Sequence, residues 1–170
     1  NGRLEDTDAL LVGGKVKAIG RGLAVRSDYD GPPLMIDGRG LHVTPGLIDA
    51  HSHTAILGGV NESSLPSTAM VRISDVVNSE TENLNQQLAG GVTAVNLYHG
   101  SANPIGGQSC LIKLRNGASP DELIFRAAPP GIKFALGENV KQSGWGEKFV
   151  TRFPQTRMGV RTLLANRFTA

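Results

Sequence analysis

Cysteine, net charge and long apolar runs are all scarce in this 170-residue chain, and each scarcity removes a class of function. The single cysteine, Cys110, excludes an internal disulfide framework and leaves the redox compartment open. Seventeen basic side chains against 15 acidic ones give a net charge of +2, and the lysines and arginines are scattered. That pattern offers no electrostatic footprint for nucleic acid or for an anionic membrane. No run of ~18 apolar residues provides a membrane-spanning helix. Neither an initiating methionine nor a signal peptide stands at Asn1, which leaves localisation open. The sequence also lacks the G-x-x-x-x-G-K-[ST] phosphate loop, so Gly13-Gly14 reads as a plain turn.

What is present is a globular composition. Hydrophobic residues at 39% and charged residues at 19% separate the chain from disordered sequences, and its length can bury a real core. Glycine is abundant: its 22 residues are nearly twice the usual ~7% and imply many tight turns and closely approached loops.

Residues 1–42 read as a small β unit. Ala9–Ile19 is an apolar run, a Gly-Gly turn and an alternating Lys-Val-Lys-Ala-Ile strand, which predicts a hairpin, and Leu34–Ile36 predicts another short strand before the turn at Asp37–Gly40. A new element starts at Pro45-Gly46. Leu47-Ile48 is strand interior, and His51 and His53 fall at the strand's end. Side chains two apart on a strand share a face, so these two imidazoles can serve one ion. Taken alone, the pair reads equally as a strand end with two hydrogen-bonded histidines.

Downstream, 57–66 reads as a glycine-rich loop, and Ser79–Leu88 as a helix with a serine cap and Leu84 and Leu88 on one face, stopped by Gly90-Gly91. Val92–Tyr98 is a strand on β-branched content. Strand, loop, helix and strand make a βαβ step with parallel strands. His99 follows on the same rim as the pair, where a third metal ligand is conceivable and a substrate contact, a supporting hydrogen bond and an ordinary loop histidine are the favoured readings. Arg72 has the fork to take a substrate carboxylate, and a surface ion pair is the competing reading.

Asn103–Ser109 reads as a second glycine-rich rim loop, Cys110–Leu114 as a short strand, and Ser119–Phe125 as a helix start with a serine cap and proline at its first position. Ile132–Leu136 is a third strand. By parity Ile132, Phe134, Leu136 and Glu138 face one way and Lys133 the other. Val140–Arg157 reads as a long loop, and 155–168 as a helix with Met158, Leu164 and Phe168 near one face.

The segments Thr44–Thr54, Gly90–Asn96, Gly100–Gln108 and Gly131–Lys141 together resemble the amidohydrolase superfamily, and within it bacterial enzymes of the imidazolonepropionase-like group. The resemblance implies an α/β fold: residues 1–42 as the first part of a small β-sandwich, and 43–170 as the first ~3 β/α units of a (β/α)8 TIM-type barrel, which needs ~250 residues. It implies a divalent metal, zinc above all, as one or two ions held by His51, His53 and Glu138, with a carboxylated Lys133 as the alternative to Glu138. Arg72 and His99 are the candidate substrate contacts.

The implied reaction is hydrolysis of C–N bonds in small amides or cyclic amides by a metal-activated water, with no nucleic acid or membrane partner and with homo-oligomerisation of the intact protein left open. The superfamily's later ligands, two histidines and a catalytic aspartate, have no counterpart here, since no histidine follows His99. The expectation is therefore an N-terminal piece, inactive alone, whose aspartate lies beyond Ala170. Alternatives within the family are a prolidase-like dipeptidase and a deaminase; outside enzymes, a non-catalytic domain or one piece of a split protein.

Overall fold

Gly13 and Gly14 both carry positive φ, 57° and 73°, which the right-twisted two-residue hairpin turn requires. They join β1 (Asp8–Val12) to β2 (Lys15–Gly20) in the antiparallel hairpin that the alternation predicts. The computed structural model describes residues 2–24, 31–149 and 151–169. The chain divides into two units, Asn1–Pro45 and Gly46–Ala170. In the first, Leu34–Ile36 is not the expected strand: it has no ladder partner among the described residues and its side chains are largely exposed. Apolar content alone does not make a strand when no neighbour supplies hydrogen bonds.

The second unit begins with β3 (Leu47–Ser52), followed by α1 (Glu82–Ala89) and β4 (Val92–Leu97). β3 and β4 pair in parallel, Ile48 opposite Ala94 and Asp49 opposite Val95, as the βαβ pattern predicts. Their close approach depends on Gly46, where any side chain would overlap that of Thr93. α1 starts later than expected, with Thr81 rather than Ser79 at its N-cap, and it buries Leu84 completely.

β6 (Cys110–Lys113) adds to the far side of β4 antiparallel, giving the sheet order β3-β4-β6. Val95 and Leu97 alternate into the core against Leu84, Ile112 and Leu123 of the capped helix α2 (Pro120–Leu123), with Cys110 as a small apolar neighbour.

Residues 105–108 are not the predicted loop. They form β5 (Ile105–Gln108), which pairs antiparallel with β7 (Ile132–Phe134). Its glycines are buried where the His99 ring and Val71 approach the backbone, so here glycine marks close packing within a strand. After β7 the chain turns through short 3-10 segments between Glu138 and Phe149 into α3 (Arg157–Thr169). α3 buries Gly159, Val160 and Leu163, whereas the expected stripe residues Met158 and Phe168 are exposed, Phe168 stacking on Phe134.

Candidate functional site

β3 delivers the histidine pair by strand parity. Ser52 turns into the protein while His51 and His53 point out on the opposite face, their ring centroids 5.2 Å apart and nearly perpendicular. Two different partners then set the rings. His53 Nδ1 lies 3.0 Å from the Tyr98 main-chain oxygen. A carbonyl only accepts, so Nδ1 carries a proton, and Nε2 is the nitrogen that bears the lone pair in the neutral ring.

His51 Nε2 lies 3.1 Å from Lys133 Nζ, an ammonium that only donates, so its proton too is on Nδ1. Partial burial, and then the positive charge of Lys133 and the neighbouring His53, lower the pKa of His51, while Asp49 opposes them. His51 is therefore a neutral ring at neutral pH.

Tyr98, at the end of β4, is the common neighbour. Its ring meets His51 edge-on at 5.4 Å, Lys133 Nζ sits over its face at 5.6 Å, and its hydroxyl receives the Asn96 amide at 2.6 Å. Two imidazoles that would offer Nε2, that of His51 in place of its bond from Lys133, suit a borderline metal ion in ligand type. Among the described residues, no three His, Cys, Asp or Glu side chains gather at one point.

The other predicted residues lie elsewhere. Glu138 does not join the histidines: the strand ends at Phe134, so its parity does not carry on, and both carboxylate oxygens are taken, by Lys141 Nζ at 2.5 Å and Arg157 at 2.6 Å. The hydrogen bond from Lys141, with the charges of Lys141 and Arg157, keeps this carboxyl below its ordinary range. Arg72 is a surface ion pair with Asp75 at 3.2 Å. His99 is buried, with Nε2 accepting the Glu62 N–H at 2.7 Å and Nδ1 donating to the Gly100 carbonyl at 2.9 Å. Both its nitrogens serve the fold of the rim loop.

A crystal structure of an amidohydrolase from Thermotoga maritima matches 95% of this chain with a TM-score of 0.79 and 34% identity, the chain covering 42% of that protein. Amidohydrolase tasK of Hapsidospora irregularis is 31% identical in an alignment of 163 positions that covers 82% of this chain and 16% of tasK. The chain belongs to the amidohydrolase superfamily. An imidazolonepropionase of Alkaliphilus metalliredigens is 29% identical in an alignment of 121 positions that covers 57% of this chain and 28% of that enzyme. The chain thus spans less than half the length of each of these relatives. No protein-family profile matches it.

In this superfamily member, sequence reasoning ranked Lys133 below Glu138 and passed over Tyr98 and Asn96. The signal for the last two was present: they lie two apart at the end of the strand paired with β3, on one face, at the same rim as the histidines.

Proposed function

We propose that this chain carries the opening portion of the active site of a metal-dependent hydrolase that cleaves C–N bonds in small amides or cyclic amides. Residues 43–170 would be the first strand–helix units of a (β/α)8 barrel, preceded by part of a small β-sandwich. The observation that carries the reading is the histidine pair itself, two rings on one strand face whose Nδ1 atoms carry the protons, so that Nε2 is the ligating nitrogen of each, on His51 once Lys133 gives way. The names and the structure of the relatives support it at the level of the superfamily.

His51 and His53 would hold a divalent ion, zinc by ligand type. When bound there, such an ion supplies Lewis-acid polarisation of a carbonyl and a water acidified to near pH 7. The chain's own contributions are separate from that chemistry. The Tyr98 carbonyl fixes which His53 nitrogen faces the site. Lys133 brings a positive charge and a proton donor to the rim, and adds to the desolvation that lowers the pKa of His51. Glu62, Gly100 and His99 hold the loop that carries Tyr98's C-terminal side. Hydrolysis itself would need groups this chain does not contain, so the 170-residue chain is expected to bind zinc weakly and to hydrolyse nothing.

A second reading, a two-metal prolidase-like dipeptidase, is favoured by the placement of Lys133 beside His51, where a carboxylated lysine would bridge two ions. Zinc titration of the chain, followed by the imidazole 15N signals in NMR, tests both. The expected result is a saturable shift of His51 and His53 together, lost in His51→Ala and His53→Ala. Binding that is undiminished in both variants would overturn the site, and two zinc ions per chain instead of one would favour the dipeptidase.

A further inference from the structure

We propose that the Tyr98 side chain is a positioning residue of this centre: its ring face is the seat to which the Lys133 ammonium withdraws when a cation takes Nε2 of His51. The inference rests on reading His51 and His53 as metal ligands, and deepens it.

The grounds are geometrical. Lys133 Nζ meets the His51 lone pair at 3.1 Å and the Tyr98 ring face at 5.6 Å, and the second lies within the ~6 Å over which an aromatic face attracts an ammonium. A metal ion and an ammonium cannot both use one lone pair, so metal binding at His51 has to dislodge Lys133. An ammonium that moves to the ring face keeps part of its stabilisation and stays at the rim as a positive charge.

The ring is held ready for this. Asn96 donates to its hydroxyl at 2.6 Å, and His51 packs against it edge-on at 5.4 Å and 71°, so its face is presented to Lys133 rather than turned away. Main chain and side chain of the same residue thereby have different duties. The carbonyl orients His53 whatever side chain stands at 98, whereas the ring meets His51 with its edge contact and Lys133 with its face.

The test is zinc affinity of the full 170-residue chain, measured by calorimetry, with imidazole 15N NMR as a second readout. Tyr98→Leu is expected to weaken zinc binding about threefold to fivefold, the range that a surface cation–π contact supports, while Tyr98→Phe, which keeps the ring and loses only the bond from Asn96, should be weakened clearly less. His53 should keep its Nδ1–H signature in both. The decisive arm is Lys133→Met: in that background only the edge contact with His51 is left to lose, so Tyr98→Leu should lose most of its effect, an outcome that a merely structural role would not give. If circular dichroism shows that leucine perturbs folding, Tyr98→Gln removes the ring equally and the same outcomes apply. Wild-type affinity in Tyr98→Leu, or an undiminished loss in the Lys133→Met background, overturns the inference. Zinc binding that survives His51→Ala and His53→Ala overturns instead the reading on which it rests.

Discussion

Asn103→Ala should cost the second unit a large part of its stability. Asn103 is fully buried beyond the end of β4, and its amide joins three loops. The nitrogen donates to the Glu62 carbonyl at 2.5 Å and to Thr68 Oγ1 at 2.6 Å, and the oxygen accepts from the Arg152 guanidinium at 2.8 Å. Alanine removes all three bonds. Thr68 keeps its bond to the Gly106 carbonyl and Arg152 its bond to the Ala102 carbonyl, so the loss is that of the bonds themselves plus one carbonyl deprived of this donor.

At about 1 kcal/mol for each neutral bond and ~2 kcal/mol for the charged one, the loss comes to roughly 4 kcal/mol. That is a substantial fraction of the ~5–15 kcal/mol that holds a typical domain folded. In equilibrium urea unfolding, with a slope of ~2 kcal/mol/M, the midpoint should fall by about 2 M. Trp145, the chain's single tryptophan, lies 5.7 Å beneath the Arg152 guanidinium and reports this region by fluorescence alongside circular dichroism. A shift of under ~0.5 M would refute the reasoning. So would a double-mutant cycle with Arg152→Ala giving a coupling energy near zero instead of the ~0.5–3 kcal/mol of contacting groups.

Two further outcomes follow from the same geometry. A Cβ added at Gly107 would lie 2.6 Å from Val71 Cγ2 and 2.7 Å from the Val71 carbonyl oxygen, so Gly107→Ala should destabilise by about 1–3 kcal/mol and lower the melting temperature by several degrees; an unchanged melt would contradict the packing of β5. Lys133→Met should raise the pKa of His51, read from its ring proton in an NMR titration, without restoring the ordinary value, because burial is the larger cause of the depression. The sign for stability follows: with the folded pKa below the unfolded one, acidification through that window protonates the unfolded chain first and destabilises the fold, and Lys133→Met should lessen this loss. A fall in the His51 pKa would refute the Lys133 contact.

Strands that carry their own periodicity were legible in the sequence. The hairpin around Gly13-Gly14, the β3–α1–β4 step and the shared face of His51 and His53 follow from alternation, turn chemistry and parity within a few residues. The misreadings concern partners. β5 looked like a loop because Gly106 and Gly107 are poor strand formers, yet their missing side chains are what lets His99 and Val71 close in. Leu34–Ile36 looked like a strand, and lacks a ladder partner among the described residues.

At the site, parity placed Lys133 opposite Ile132 and Phe134 correctly, but extending it to Glu138 ignored that a strand can stop; after Phe134 the backbone leaves the pleat and Glu138 meets Lys141 and Arg157 instead. Nothing local in the sequence says that position 133 faces position 51, because 82 residues separate them and tertiary packing decides the meeting.

The hydrogen bond that orients His53 ends on a main-chain oxygen, which makes it indifferent to the genetic code at position 98. Nineteen alternatives can be written there, and each brings the same carbonyl. Divergence, or a randomised library, at this one codon would therefore vary the surroundings of His51 and Lys133 while His53 stays as it is, so that one half of the pair is inherited with the backbone and the other is open to selection.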